Sequence, residues 1–184
     1  MKLEVLERDH FYHIYNRGIN SENIFLSDDN KSYFLKLLSK HLNGKIEVFA
    51  YCLMDNHFHF LIKLVDDEKA VTQAFSNFFN SYAKAFNKQN NRTGSLFEKH
   101  FKRIKIQDEN YLRNIIQYIH LNPKHHLNID YKTYKFSSFQ SIISTNQTKL
   151  ARTEVLSYFD NVDNFIFCHN FKNDFLTERF TFEQ

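Results

Sequence analysis

The chain has 184 residues, of which 42% are hydrophobic, so it is long enough to bury the core of one domain. Its three glycines and single proline exclude a loop-rich or disordered chain, and its net charge of +3 gives no strong bias towards acidic or basic partners. Cys52 and Cys168 form no C-x-x-C pair. No apolar segment has membrane-spanning length, so we expect a soluble cytoplasmic protein without a membrane partner.

The spacing of apolar residues predicts seven main elements in chain order. They are a strand at 11–15, a helix ending at Asn43, strands at 45–53 and 57–64, a helix from 66 to the polar loop at 89–94, an extended segment at 96–106 and a helix at 109–122 ended by Pro123. This order predicts an α+β fold, a ferredoxin-like sandwich whose antiparallel sheet has helices packed on one face, with extra C-terminal helices.

No linker or repeat divides the chain. Residues 1–150 are expected to form one domain, and residues 151–184 an acidic helical tail packed on that same domain. From Thr153 to Gln184 there are six acidic and two basic residues.

Two histidines stand one strand step apart, His57 and His59. Side chains of a strand alternate, so both imidazoles lie on one face while Phe58 points into the core. Two imidazoles can grip one divalent metal ion but are too few for a closed zinc site. An open site completed by water and substrate oxygens suits Mg²⁺ or Mn²⁺ acting on phosphate. The alternative is one surface histidine and one packing histidine.

The last main helix carries Tyr118 and Asn122. Helical phase places Tyr118 roughly 120° from the centre of the apolar stripe and about 40° from Asn122. The amide of Asn122 is therefore a possible third metal ligand or a group that positions the tyrosine. The alternative, which phase alone favours, is an exposed tyrosine followed by an asparagine that caps the helix.

Basic residues are concentrated between Lys84 and Lys105, with seven Lys or Arg against Glu98 alone. Such a band is a candidate phosphate-binding face, and a solvated helix face is the alternative. The candidate phosphate contacts are Arg17, Lys99, Lys102, Arg103 and Lys105.

Several segments together resemble the single-tyrosine HUH transposases, and in particular their REP-associated branch. They are the residues at 12–18 (YHIYNRG), 50–59 (AYCLMDNHFH), 94–102 (GSLFEKHFK), 118–123 (YIHLNP) and 136–139 (FSSF). They occur in the family's order and cover about residues 10–140. Asp55 stands where many relatives carry proline, and the tail beyond Leu150 lies outside the resemblance.

The resemblance implies that residues 1–150 form an HUH transposase domain. In such enzymes a tyrosine, here Tyr118, attacks single-stranded or hairpin DNA and forms a 5′-phosphotyrosine. His57, His59 and Asn122 are then the metal ligands, with Mg²⁺ or Mn²⁺ as the cofactor. The five candidate phosphate contacts named above are then predicted DNA contacts. Relatives include both monomers and homodimers that exchange the tyrosine helix.

Two other functions stay open at this point. One is a domesticated hairpin-DNA-binding protein without transposition activity. The other is a relaxase or replication initiator, although the sequence shows neither the extra domains nor an obvious third histidine that usually accompany those activities.

Overall fold

The computed structural model describes residues 4–171. Its regular elements are β1 (Phe11–Arg17), α1 (Asp28–Leu42), β2 (Ile46–Leu53), β3 (His57–Leu64), α2 (Glu68–Gln89), β4 (Lys102–Lys105), α3 (Glu109–Leu127), α4 (Phe139–Ile143), α5 (Arg152–Ser157) and α6 (Val162–Asn170), with a short 3₁₀ turn at Ile19–Ser21. Within that part of the chain, every helix is too short or too polar to cross a bilayer.

The four strands form one antiparallel sheet in the order β2-β3-β1-β4. Helix α1 connects β1 to β2, and β3 lies between those two strands, which is the split β-α-β arrangement of the ferredoxin-like sandwich. The predicted strands at 45–53 and 57–64 pair as a hairpin, in which the Met54 N–H donates to the His57 carbonyl oxygen at 2.9 Å. The predicted α+β fold is therefore confirmed.

The two faces of the sheet pack on different helices. Phe58, Phe60 and Ile62 of β3 belong to a core shared with α1 and α2, whereas Leu61 belongs to a second core shared with α3. Helices consequently cover both faces rather than one. The sequence analysis expected helices on one face only. The structure has them on both, because the apolar stripe of α3 packs on the side of the sheet that α1 and α2 leave open.

The three long helices begin where their side chains predict. Ser27, Asp67 and Asp108 each accept a hydrogen bond from the backbone N–H three residues further on. These caps satisfy N–H groups that the first helical turn leaves without partners. The starts of α1, α2 and α3 are thus encoded locally.

Helix α3 continues through Pro123 to Leu127, so the prediction that it ends at Asn122 is wrong. Proline removes only one backbone donor, and its fixed φ suits the first position of a new turn. That turn is closed by the N–H groups of Asn128 and Ile129, which donate to the Pro123 carbonyl oxygen. Asn128 adopts the left-handed conformation, with φ of 54°, that commonly ends helices.

Two other segments refine the sequence prediction. Within the predicted extended segment at 96–106, only Lys102–Lys105 form a strand, and Phe97 makes a single bridge to Gly18. Beyond residue 150, α5 and α6 contribute Val155 and Phe165 to the core of α3. The rest of the predicted acidic tail, residues 172–184, lies outside the described residues.

Candidate active site

The paired histidines of β3 lie on the α3 side of the sheet, with ring centroids 5.1 Å apart. His59 is only 3% exposed, and His57 is half-buried. The ring of Tyr15, which faces His59 across the β1–β3 pair, stacks on it at 5.7 Å. Strand alternation therefore places both imidazoles on one face, as the sequence predicts.

Helix α3 brings Tyr118 and Asn122 to these imidazoles. The edge of the Tyr118 ring meets His59 with centroids 5.5 Å apart, and Asn122 Oδ1 lies 3.3 Å from His57 Nε2. Both α3 side chains are buried. The phase argument for an exposed tyrosine is thus wrong, because α3 is enclosed by the sheet on one side and by later helices on the other, so every residue from Ile115 to Pro123 is buried.

Two hydrogen bonds at the rim of the site establish which nitrogen of His57 carries the proton and how the Asn122 amide is oriented. His57 Nδ1 lies 2.6 Å from the Asn56 side-chain oxygen, which can only accept, so Nδ1 carries the proton. The Asn122 amide nitrogen donates to the Tyr118 carbonyl oxygen at 3.0 Å, so its Oδ1 faces His57. In neutral His57, Nε2 therefore carries a lone pair, and so does the facing Asn122 Oδ1. Two lone-pair donors side by side are arranged as the ligands of a cation are.

The imidazole of His59 forms a hydrogen bond with a third histidine, His13. His13 Nε2 lies 2.9 Å from His59 Nδ1, and His13 is fully buried. A metal held by His59 would be held through Nε2, with Nδ1–H donating to His13, the usual outer hydrogen bond of a metal-binding histidine. Burial and the neighbouring imidazoles hold the pKa of His59 well below its usual value, which keeps the ring neutral and able to act as a ligand.

These residues fit a divalent cation of open coordination. Within residues 4–171, no group of three or more His, Cys, Asp or Glu side chains is placed to hold a metal. The ligand set would instead be two imidazole nitrogens and the Asn122 amide oxygen. Such a set leaves positions for phosphate and water, and its mixed nitrogen and oxygen donors suit Mn²⁺ or Mg²⁺.

A pocket of about 370 Å³ opens in front of these groups and is lined by His57, His59 and Tyr118. Two of the predicted DNA contacts, Arg17 and Lys102, also line it. Arg17 forms an ion pair with Glu98 at 2.5 Å. The pocket therefore combines a phenol, a possible cation site and basic side chains.

The three other predicted DNA contacts lie elsewhere. Lys99 is exposed on the loop before β4. Arg103 stacks on the ring of Phe101, with its guanidinium carbon 4.6 Å from the ring centroid. Lys105 forms an ion pair with Glu7 at 2.7 Å. The structure thus brings two of the five predicted contacts to the pocket.

The family follows from the sequence together with this geometry. A family model described as "Transposase IS200 like" matches residues 8–122. The chain belongs to the IS200-like transposases. A Haemophilus influenzae protein that carries the provisional name REP-associated tyrosine transposase is 27% identical over 140 residues, which is 66% of this chain and 80% of that protein.

This family member also shares its fold with a solved structure. A REP-associated tyrosine transposase bound to a REP hairpin superposes with a TM-score of 0.64 at 16% identity, over 79% of this chain and 86% of that one. The resemblance proposed from the sequence motifs is confirmed.

Three residues of the candidate site were not predicted as such: His13, Asn56 and His126. Asn56 neighbours His57, and the His126 ring lies 5.2 Å from that of His57 because α3 continues past Pro123. Strand alternation in β1 places His13 on the face opposite Tyr12 and Ile14, which is a usable signal. Its contact with His59 depends on the register of β1 against β3, which the sequence does not reveal.

Proposed function

We propose that this protein is a metal-dependent DNA strand transferase that cleaves and rejoins single-stranded or hairpin DNA through a 5′-phosphotyrosine. The observation that carries the proposal is the convergence of Tyr118, His57 and His59 on one pocket of a single chain, with the buried Asn122 Oδ1 3.3 Å from His57 Nε2. A phenol beside a two-imidazole and amide set is suited to nucleophilic attack on a phosphodiester.

The cofactor in this proposal is a divalent cation. His57 and His59, with Asn122, would hold Mg²⁺ or Mn²⁺. When bound there, a divalent cation supplies stabilisation of the charge on the phosphate oxygens and favours the ionised form of a nearby phenol. Asn56 and His13 orient the two imidazoles.

Tyr118 acts as the nucleophile in this proposal. Its oxygen forms a bond to the scissile phosphorus while the bond to the 3′ oxygen breaks, and that oxygen takes up a proton to give a free 3′-hydroxyl. A 3′-hydroxyl then attacks the phosphotyrosine, releasing Tyr118 and restoring a DNA phosphodiester. The phosphoester bond is conserved throughout, so neither water nor ATP is consumed.

Basic side chains would hold the DNA around this pocket. Arg17 and Lys102 lie close enough to contact the phosphates beside the scissile one, and Lys99, Arg103 and Lys105 would extend the contact surface. A hairpin substrate is supported by the structural relative, which was solved on a REP hairpin. An activity on DNA, with no membrane-spanning helix in residues 4–171, accords with a cytoplasmic location.

The deciding experiment is covalent capture. The purified chain is incubated with Mn²⁺ and a library of labelled imperfect hairpins that carry single-stranded flanks, and adducts are resolved under denaturing conditions. We expect an adduct with the unaltered chain and none with Tyr118→Phe, because the phenol oxygen is the attacking atom. Tyr111→Phe, on the same helix, is the matched control and should keep the adduct.

Each other result has a defined meaning. Persistent cleavage by Tyr118→Phe would reject Tyr118 as the nucleophile. Tight hairpin binding by the unaltered chain without any metal-dependent adduct would instead support the domesticated DNA-binding protein.

We further propose that the active site is complete in one chain, so that a monomer is sufficient. The contact between Tyr118 and His59 within one chain supports this. Mixing Tyr118→Phe with His57→Ala should then leave both inactive. Restored cleavage in the mixture would show that two chains share a site and that the active form is a homodimer.

A further inference from the structure

The last turn of α3 brings one more imidazole to the candidate active site. His126 follows Asn122 by four residues, so the two side chains are neighbours along one side of the helix. The His126 ring lines the same pocket as His57 and His59. It meets the ring of His57 edge to face, with centroids 5.2 Å apart and planes at 72°. A third pocket histidine therefore stands beside the two-imidazole site.

Nothing else in the described part of the chain accounts for the position of His126. Its side chain is exposed, and neither ring nitrogen has a hydrogen-bond partner within residues 4–171. His125, the preceding residue, is also exposed but does not line the pocket. The two adjacent histidines thus differ in one respect, which is that His126 alone adjoins the cation site.

The ligand set of His57, His59 and Asn122 leaves room for a further protein ligand. An octahedral cation that takes these three and one more imidazole still has positions for a phosphate oxygen and a water. Each added imidazole favours a transition-metal ion, because Mg²⁺ takes oxygen ligands almost exclusively whereas Mn²⁺ also accepts nitrogen. A third imidazole would therefore move the preference of the site from Mg²⁺ towards Mn²⁺.

The side chain of His126 is free to make the contact. The three pocket imidazoles do not yet form a metal-binding cluster within residues 4–171, so His126 has to turn towards the other two when a cation is bound. Exposed side chains exchange rotamers within nanoseconds. The closure consequently needs no movement of α3.

We propose that His126 is a fourth protein ligand of the catalytic cation and gives the site a preference for Mn²⁺ over Mg²⁺. The third imidazole comes from α3, like the amide of Asn122, and the other two come from β3. This proposal rests on the proposed function, because it adds a ligand to the cation that His57, His59 and Asn122 hold there.

The test is binding of the metal alone, without DNA. Isothermal titration calorimetry of the full chain with Mn²⁺ and with Mg²⁺ is done at one fixed pH, since protons compete for the imidazoles. His126→Ala should raise the Kd for Mn²⁺ by about tenfold or more, because even an outer partner of a metal ligand contributes that much. The Kd for Mg²⁺ should change less.

Pulsed EPR of the bound Mn²⁺ provides a second measurement that does not depend on affinity. Nitrogen couplings count the imidazoles on the ion, and we expect three in the unaltered chain. In His126→Ala, at Mn²⁺ concentrations that fill the site, the count should fall to two.

Variants on both sides of the assignment serve as controls. His125→Ala, the matched change at the neighbouring exposed position, should leave both dissociation constants and the nitrogen count unchanged. His57→Ala shows the size of the effect when a predicted ligand is lost. His126→Asp keeps a ligand but exchanges nitrogen for oxygen, so it should bind Mg²⁺ more tightly than the unaltered chain does. Circular dichroism checks that each variant is folded.

The outcomes separate this proposal from the proposed function. If His126→Ala binds Mn²⁺ as tightly as the unaltered chain, or if His125→Ala is weakened equally, the assignment of His126 is overturned while the strand-transferase proposal stands. A count of only two imidazoles in the unaltered chain overturns it as well. If the unaltered chain binds no Mn²⁺, or if His57→Ala leaves Mn²⁺ binding unchanged, the metal site of the proposed function itself fails.

Discussion

Helix α3 carries histidine chemistry on two sides, and the two sides differ in access. On one side, His57 and His59 line an open pocket together with Tyr118, and the buried Asn122 contacts His57. On the other, His120 is fully buried, with Nδ1 2.9 Å from His169 Nε2 and Nε2 2.7 Å from the Ser138 hydroxyl.

The buried array has a determined proton order. His169 Nδ1 donates to the Phe165 carbonyl oxygen at 2.7 Å, so its Nε2 accepts from His120 Nδ1–H. The Ser138 hydroxyl then donates to His120 Nε2 and accepts from the Tyr51 N–H at 2.8 Å. A serine, a base and an orienting group are in line, yet Phe139 and Phe165 enclose them. Similar imidazoles therefore stand in different settings, because one set lines an open pocket and the other ties α3 to β2 and α6.

The largest expected difference between the two sides is in activity. His59→Ala should lower metal-dependent DNA cleavage on the order of 10³-fold, since a bound cation contributes several kcal/mol to such a transition state. His169→Ala should retain cleavage at a temperature where it is folded. Single-turnover cleavage assays with Mn²⁺ measure both, and equal losses would remove the distinction between the sites.

His13→Gln sharpens the same comparison. It removes the imidazole that orients His59, together with its ring contacts to Tyr15 and Tyr118, so Mn²⁺ affinity should fall about 10- to 100-fold while excess metal restores cleavage. A loss that excess metal does not rescue would show that His13 acts otherwise than by orienting His59. Titration of cleavage rate against Mn²⁺ gives the answer.

The second largest effect is expected in stability. His120→Ala leaves Ser138 and His169 without their shared partner and opens a void between two rings, so the free energy of unfolding should fall by about 3 kcal/mol. His125→Ala, an exposed position on the same helix, should change it by less than about 0.5 kcal/mol. Urea denaturation compares the two, and similar small changes would show that the array does not stabilise α3.

Short-range sequence patterns were sufficient to predict the faces of β3 and the order of the main elements. Alternation in β3 separates the two histidines from Phe58 and Phe60, and the caps Ser27, Asp67 and Asp108 mark the starts of the long helices. Both signals act within a few residues, so tertiary packing has little opportunity to override them.

What the sequence could not reveal depends on packing at a distance. The phase of Tyr118 identifies the side of α3 that faces the sheet, but not that α4 and α6 cover much of the rest. Pro123 indicates a helix end, yet one lost donor is tolerated. The contacts of His13 with His59 and of His120 with His169 need strand register and the docking of α6, which no local pattern encodes.

The smallest predicted effect is a pH dependence that belongs to the buried side. Burial lowers the pKa of His169 to about 4, while an unfolded histidine titrates near 6.5. The groups around it are His120, Tyr131 and uncharged rings, with no carboxylate among its described contacts. Below pH 6.5 the unfolded chain binds a proton that the folded chain does not, so stability is full above that pH and is lost as the pH falls towards 4.

At pH 5 this one group should reduce the free energy of unfolding by about 2 kcal/mol relative to pH 7. The pKa of His120 and that of His59 are lowered in the same way, so the whole chain shows a steeper loss. Urea denaturation of the parent and of His169→Gln between pH 5 and 7 isolates one histidine. The free energy of unfolding of the variant should depend on pH less steeply, by the contribution of about one proton. Parallel curves would mean that His169 is protonated in the folded protein, and the proton order assigned to the array would then be wrong.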